Sequence, residues 1–443
     1  MKGITERILI KNFFSIKEIN WEIKDFNVLT GGMAAGKSLC IKLVYFLEHI
    51  LHRNIFFSAI SRETLKREVF YENMSKQFKN LFHSENPEND LCNTEIKYTF
   101  VVSENNMVFD LTAKWNKDTK NLEWTSNYID THIDIWCGFI DEKDTNTGDV
   151  RKKIDETISR EFLTKFPITT RFIPASRAIA SIIKNTAKKD IMDAFLLDFI
   201  QYTKNSVSSF YNVSDINDYK ININKLLQIN KMLIYHDQQS DEDIISIEAS
   251  GGRKITPLEL SSGQQELLYF LLLIKDISAM TSFHDEKNNL VLIFNNNLSV
   301  FIEEPSSHLF PQEQKDIIEF IAQIFRILTD KKKINTRFFI TTHSPYVLNV
   351  INNMLTKGDI MERNEVLIKR INKKIKFPHI YKDELSAIFI KKNGKHKNML
   401  NGDEKVMFAD DIAEISFSIN DDTNKLDDLN NYLIHEKELN NVL

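Results

Sequence analysis

Lys37 and Ser38 directly follow Gly36, and Gly31 stands five residues before it. The run Thr30-Gly31-Gly32-Met33-Ala34-Ala35-Gly36-Lys37-Ser38 therefore has the spacing GxxxxGK[ST]. In such a loop the backbone N–H groups face phosphate oxygens, the lysine ammonium reaches the β- and γ-phosphates, and the serine hydroxyl ligates Mg²⁺. Gly31, Gly32, Met33, Ala34, Ala35, Gly36, Lys37, Ser38 and Leu39 are the nucleotide-binding residues this spacing predicts. Two carboxylates, Glu303 and Glu304, close the apolar run Val300-Phe301-Ile302. Phosphoryl transfer to water needs one group to hold the metal and another to align the nucleophile, so Glu303 is read as a Mg²⁺ ligand beside Ser38, and Glu304 as the group that orients water.

Two further stretches carry groups of the same chemistry. Leu260-Ser261-Ser262-Gly263-Gln264 precedes the apolar run Leu267 to Ile274, which places hydroxyls and a glycine N–H at a helix N-terminus, a favourable place for phosphate. Thr341-Thr342-His343-Ser344-Pro345 follows Phe338-Phe339-Ile340. His343 then stands at a strand's C-terminal end, where α/β proteins bind their ligands, with Ser344 as helix N-cap and Pro345 at the first helical position.

These residues need strands and helices to bring them together. Phe26 to Leu29 reads as a buried strand entering the phosphate loop, and Leu43, Val44, Leu47, Ile50 and Leu51 line one face of the helix leaving it. Ile8 to Phe13 and the alternation Ile19, Trp21, Ile23 predict two earlier strands, and Lys66 to Phe82 a helix. Alternation at Ile96, Tyr98, Phe100, Val102 and at Met107, Phe109, Leu111, with Trp115 and Trp124 about a polar turn, predicts an antiparallel meander. Phe166 to Ala175 is a further apolar segment. From Asp190 to Met232 the pattern reads as helical, with Leu226, Leu227, Ile229 and Leu233 continuing it. Strands are expected at Ile244 to Ile247, Leu290 to Phe294, Leu298 to Ile302 and Phe338 to Ile340, and a helix at Gln312 to Leu328.

Size and composition bound the class. The 443 residues, 42% hydrophobic, are enough for a large core and two or three lobes. A net charge of -5 gives no global pull on nucleic acid, so any such contact must use a local basic patch. Lys369 to Lys376 and Lys391 to Lys397 are the candidates. Three widely spaced cysteines, Cys40, Cys92 and Cys137, argue against a disulfide framework or zinc site and fit a reducing cytosol. The longest strongly apolar run, Leu267 to Ile274, is too short to span a bilayer, so a cytoplasmic protein without a membrane partner is expected.

Together the four stretches resemble the head of ABC-type ATPases: Walker A at Gly31 to Ser38, the signature at Leu260 to Gln264, Walker B at Val300 to Glu304 and the switch histidine at His343. The N-terminal strand ending in Asn12-Phe13, the long insertion before the signature, and Glu303-Glu304-Pro305 with His308, Leu309 and Pro311 resemble the RecF, SMC and OLD branch. The fold class this implies is α/β, an ABC/SMC-type P-loop ATPase head with an antiparallel β subdomain and an inserted helical region. Its expected division is an N-terminal ATPase lobe at 1–185, a helical insertion at 186–236, a C-terminal ATPase lobe at 237–360 and an extension at 361–443. Lys37, Glu304 and His343 take the catalytic roles by that resemblance. In that family two heads close on ATP, which implies a homodimer or higher homo-oligomer with Ser261 and Gly263, beside Ser262 and Gln264, reaching the γ-phosphate in trans. Ser262 stands where glycine is frequent, and Ser306 where an acidic residue is.

Ile173-Pro174-Ala175-Ser176-Arg177 and Asp383-Glu384-Leu385-Ser386-Ala387 further resemble small OLD-like ATPase subunits of bacterial anti-phage systems, the PARIS type first and Septu next. That implies an ATPase that senses infection, with a phage protein as possible trigger, and controls a separate effector nuclease of TOPRIM or HNH type. No nuclease activity of its own is expected, because Asp410-Asp411 does not supply the Glu and DxD pattern of a TOPRIM site. The alternative is a RecF-like repair and recombination ATPase that binds DNA directly.

Overall fold

The computed structural model describes residues 4–60, 66–102, 107–140, 169–177, 194–209, 227–237, 242–249, 251–279, 297–331, 333–363 and 377–400. Strands β1 (Ile4–Phe13) and β2 (Ile16–Ile23) form a hairpin that buries Ile8, Ile10, Ile19 and Trp21. Strand β3 (Phe26–Gly31) is buried along its whole length, as expected where both faces of a sheet are covered. It runs through the phosphate loop into α1 (Lys37–Ile60). Helix α2 (Arg67–Leu81) buries Phe70, Met74 and Phe78, one position per turn. Strands β4 (Glu95–Val102), β5 (Met107–Asn116) and β6 (Asn121–Thr125) make the meander, followed by α3 (Asn127–Ile140).

The meander joins the first hairpin in a five-stranded antiparallel sheet, ordered β2-β1-β4-β5-β6. Beyond it come β7 (Thr169–Ile173), α4 (Ala194–Ser209), β8 (Lys231–Asp237), β9 (Glu242–Glu248) and β10 (Lys254–Ile255). Then follow α5 (Ser262–Ala279), β11 (Asn297–Glu303), α6 (Pro311–Arg326), β12 (Asn335–Thr342), α7 (Pro345–Arg363), β13 (Leu385–Ile390) and β14 (His396–Asn398). A six-stranded sheet ordered β14-β13-β3-β12-β11-β7 holds the site. All of its pairings are parallel except β13 with β14. The chain is therefore mixed α/β, with an antiparallel sheet packed on a mainly parallel one.

Two readings change. Leu233, assigned above to a helical run, lies in β8, where it pairs with Ser246 of β9 in a three-stranded antiparallel sheet. Short apolar spacings do not separate helix from strand, and here the ladder to β9 decides. Within 186–236, the helix among the described residues is Ala194–Ser209. The stretch 361–443, read as an extension, contributes β13 to the central sheet, paired with the very strand that carries the phosphate loop. Trp21 binds it further by donating Nε1–H to Ser386 Oγ at 3.1 Å, and that hydroxyl donates to the Glu22 carbonyl at 2.6 Å. The expected strand at Leu290 to Phe294, the basic run Lys369 to Lys376, Leu226 and Asp410-Asp411 lie outside the described residues.

A buried charge cluster fastens the two sheets. Arg337 on β12 meets Glu6 of β1 at 2.5 Å and Glu48 of α1 at 2.8 Å, and donates to Ser299 Oγ of β11 at 3.0 Å. Tyr98 of β4 donates its hydroxyl to Glu6 Oε2 at 3.1 Å. Burial opposes the guanidinium charge, but Glu48 and Glu6 outweigh it and hold the pKa above the usual arginine value. Removing one member of such a set strands buried charges of the other sign. Arg337→Ala is expected to destabilise the fold by about 3–5 kcal/mol, read from denaturant unfolding midpoints; a loss within experimental error would show that the sheets hold together without it.

Candidate functional site

The phosphate loop is shaped by its neighbours. Gly31 has φ +144°, and a Cβ there would lie 2.3 Å from the Ile390 carbonyl oxygen of β13. Gly36 has φ +103°, and a Cβ there would lie 2.8 Å from Ile16 Cγ1 in the β1–β2 hairpin. Both glycines are thus demanded by close approach as well as by dihedral. Ala34 adopts φ +57° without a glycine's freedom, a strained point in the middle of the loop. Gly32, Ser38 and Leu39 are half-buried, Ala35 is buried, and Met33 is 90% exposed at the loop apex. The loop closes where the Cys40 N–H donates to the Gly36 carbonyl at 3.0 Å, setting the first turn of α1.

Lys37 is buried and folded back over this loop. Its Nζ donates to the carbonyls of Gly31 and Gly32, each at 2.9 Å, and lies 3.8 Å from Glu304 Oε1. Burial lowers its pKa below the usual lysine value, and Glu304 opposes that shift. A cation held this way is already desolvated and aimed at the anion position at the N-terminus of α1.

Sheet register brings the other motifs to the same edge. Glu303 on β11 is level with Thr341 on β12, and Thr342 is level with Thr30 on β3, so all three strands end together. Glu304 leaves β11 with φ +43°, and its N–H donates to the Thr341 carbonyl at 3.1 Å and stands 3.2 Å from Thr341 Oγ1. That turn aims its carboxylate across the sheet end. Glu304 Oε2 accepts from the His343 backbone N–H at 3.2 Å and lies 2.9 Å from His343 Nδ1. Lys37, Glu304 and His343 thus form one connected group. Ser344 caps α7 and donates its hydroxyl to Gln314 Oε1 at 2.5 Å, which fixes the turn carrying His343 against α6.

Glu303 points elsewhere. Its Oε2 accepts from the Ala175 N–H at 3.0 Å, while its Oε1 is buried and makes no hydrogen bond. A buried carboxylate oxygen without a partner is costly unless a ligand completes it. Together with the Ser38 hydroxyl in the first turn of α1, this donor set is all oxygen, the type that hard divalent cations such as Mg²⁺ take.

Ser261 to Gln264 stand apart from that group. Ser261 caps α5 reciprocally, with its N–H and hydroxyl donating to Gln264 Oε1 at 3.1 and 2.9 Å. Gln264 Nε2 donates to the Leu227 carbonyl at 2.7 Å, and Ser261 and Ser262 are exposed. A Cβ on Gly263 would lie 3.2 Å from the His308 carbonyl oxygen. No hydrogen bond or ion pair among the described residues joins 261–264 to 31–39. Sequence reasoning missed the parts played by Thr341, which turns Glu304, and by Ala175, which orients Glu303. Both are ordinary residue types whose role is a backbone group, and only their own motifs' apolar flanks hinted at their place.

Residues 140–349 match the family model described as "AAA domain, putative AbiEii toxin, Type IV TA system". That is an AAA-type match. It contains the strand ends at Glu303, Glu304 and His343 and the start of α5, and it begins after the phosphate loop. The chain is also 30% identical over 156 residues to "Endonuclease GajA" of Bacillus cereus (strain HuB5-5), a stretch covering 30% of this chain and 22% of that protein. It therefore spans about a fifth of the curated relative's length. Among solved structures, it is similar to an Smc head domain with an extended coiled coil bound to the C-terminal domain of ScpA, from Pyrococcus furiosus. The TM-score is 0.41 and the identity 11%, over 94% of this chain and 99% of that one. It is similar as well to the recombination mediator RecF with ATPrS, with a TM-score of 0.35 and 10% identity over 90% and 99% of the two chains. No helix among the described residues is long and apolar enough to cross a membrane.

Proposed function

We propose that this chain is an ATP-hydrolysing head of the ABC type that works as a nucleotide-bridged homodimer or larger homo-oligomer. The observation that carries the reading is an incomplete pocket. Lys37, Glu304 and His343 converge on the phosphate loop, while Ser261 and Gly263, which carry the remaining phosphate donors, bond to none of them. A second copy supplies those donors in trans. Four of the large exposed apolar side chains border the four motifs: Met33, Leu258, Phe310 and Tyr346. Exposed apolar side chains of this kind favour burial against another protein surface.

In this reading the N–H groups of the loop from Gly32 to Lys37 cradle the triphosphate, and Lys37 exchanges the Gly31 and Gly32 carbonyls for β- and γ-phosphate oxygens. Ser38 and Glu303 would hold Mg²⁺, which neutralises phosphate charge when bound. Glu304 aligns the attacking water and accepts its proton, and His343 holds the Glu304 carboxylate in place. Hydrolysis removes contacts that only the closed pair makes, so the heads part.

The chain is further proposed to act in the cytoplasm in bacterial anti-phage defence, as in PARIS- and Septu-type systems, sensing a phage protein and controlling a separate effector nuclease. Support comes from the AAA-type match and from the aligned stretch of GajA, a protein itself named an endonuclease. Sedimentation velocity with ATP, run beside a nuclease assay on the same sample, tests the reading. ATP is expected to shift the chain to a dimer or larger assembly without cleavage of DNA or RNA. ATP-dependent cleavage by the chain alone, lost in Lys37→Ala, would overturn the division of labour. One observation favours a RecF-like clamp instead: Lys391, Lys392, Lys395 and Lys397 are exposed and make no ion pair among the described residues, and the Lys392 side chain lies against the phosphate loop at Gly32. Salt-sensitive DNA affinity that rises with ATP would select that reading.

A further inference from the structure

Arg177 follows β7 by four residues and is 1% exposed. It therefore lies too deep to reach a nucleotide or a neighbouring protomer, and its hydrogen bonds are all internal. Nη1 donates to the Glu303 carbonyl at 2.9 Å and to the Pro174 carbonyl at 3.3 Å. Nη2 donates to the Glu304 carbonyl at 3.0 Å and to Glu266 Oε2 at 3.2 Å. Glu266 is buried on α5, five residues after Ser261, and its Oε1 lies 3.6 Å from His308 Nε2 in the turn beyond Glu304.

One planar guanidinium thus spans the peptide carbonyls under both strand-end carboxylates and the helix that displays Ser261 and Gly263. A rigid fork fixes directions as well as distances, which a flexible ammonium does not. Burying such a pair is a weak source of stability and a good means of fixing geometry. The backbone it holds includes one of the strained positions of the site. Glu304 stands in a left-handed conformation that a non-glycine residue adopts only when its surroundings enforce it. Its carbonyl receives, besides Arg177, the N–H and hydroxyl of Ser307 at 3.2 and 3.1 Å.

We propose that Arg177 is a positioning residue that sets the backbone of Glu303 and Glu304 according to where helix α5 stands. Because α5 presents Ser261 and Gly263 to the other protomer's nucleotide, occupancy of the partner's pocket is reported to this protomer's own water-aligning carboxylate. The two pockets of the pair then hydrolyse cooperatively. This rests on the ATPase reading given above.

Arg177→Lys and Glu266→Gln, each in the full chain, test it through three readouts: affinity for a fluorescent ATP analogue, kcat, and the Hill coefficient of hydrolysis against ATP. Both variants are expected to bind the analogue within about threefold of the unmodified chain. Their kcat should fall about tenfold or more, with the Hill coefficient dropping to about one. Combining the two should cost no more than either alone, the mark of residues acting as one unit. Thermal unfolding identifies a variant that fails to fold, and Glu266→Gln, which keeps the arginine, then decides the matter. Unchanged kcat and cooperativity, or losses that multiply in the double variant, would overturn the coupling. Failure of the unmodified chain to bind the analogue would instead overturn the ATPase reading itself.

Discussion

Glu304→Gln is expected to leave ATP affinity within about threefold while lowering the rate of hydrolysis about 10³-fold. The amide keeps the size of the carboxylate, and its oxygen can still accept from the His343 N–H now bound at 3.2 Å. What is lost is a base at the end of β11. General-base groups of this kind contribute roughly 10²–10⁴ in rate, and binding energy placed in the phosphate loop does not depend on them. The Lys37 ammonium, 3.8 Å from Glu304 Oε1, loses a weak charge partner but keeps its loop carbonyls. Because ATP enters without being consumed, the bridged pair should persist. Sedimentation velocity with ATP and a single-turnover hydrolysis assay read the two effects separately. Hydrolysis within tenfold of the unmodified chain would remove Glu304 from the role assigned to it.

Lys37→Ala is expected to act one step earlier, lowering ATP affinity about 100-fold, since charge-assisted hydrogen bonds contribute about 1.5–3 kcal/mol each and 1.4 kcal/mol is tenfold. The ammonium is buried, already stripped of water, and donates to two carbonyls that phosphate oxygens would replace. Alanine removes the charge and leaves those carbonyls to the loop. Titration calorimetry with ATP reads the loss, and far-ultraviolet circular dichroism checks that the fold is kept. The contrast between the variants is the informative part: Lys37→Ala should show no ATP-driven assembly, and Glu304→Gln should show it in excess. Equal sedimentation of both with and without ATP would count against a nucleotide-bridged pair.

The candidate site was legible in the sequence to the extent that chemistry is carried by local spacing. Gly31 and Gly36 bracket a loop between an apolar run and an amphipathic one, and that spacing by itself places the cradle at a strand-to-helix junction. Paired acids after a fully apolar run likewise read as a buried strand ending in carboxylates, and β11 is buried at every position. The meander was visible because side chains alternate with period two across a half-buried sheet. Leu233 misled because four apolar residues at mixed spacing fit both periods, and its partner strand is supplied by residues further along the chain. Arg177 stands in the run Ile173-Pro174-Ala175-Ser176-Arg177, but local spacing does not say which carbonyls of distant strands a single arginine meets.

From residue order alone came the identity of the reacting groups and the strand or helix that each one ends or begins, because glycine spacing, apolar periodicity and capping residues act over a few positions. Tertiary structure alone decided that β13, from a stretch read as an extension, lies against Gly31, that Thr341 turns Glu304 toward His343, and that Arg177 joins α5 to the backbone carbonyls of Glu303 and Glu304. Each of these is a contact between segments tens to hundreds of residues apart, with a backbone carbonyl or amide on at least one side of most of the bonds. Those groups are the same in every residue, so their partners are set by sheet register and packing and leave no mark in the side-chain sequence.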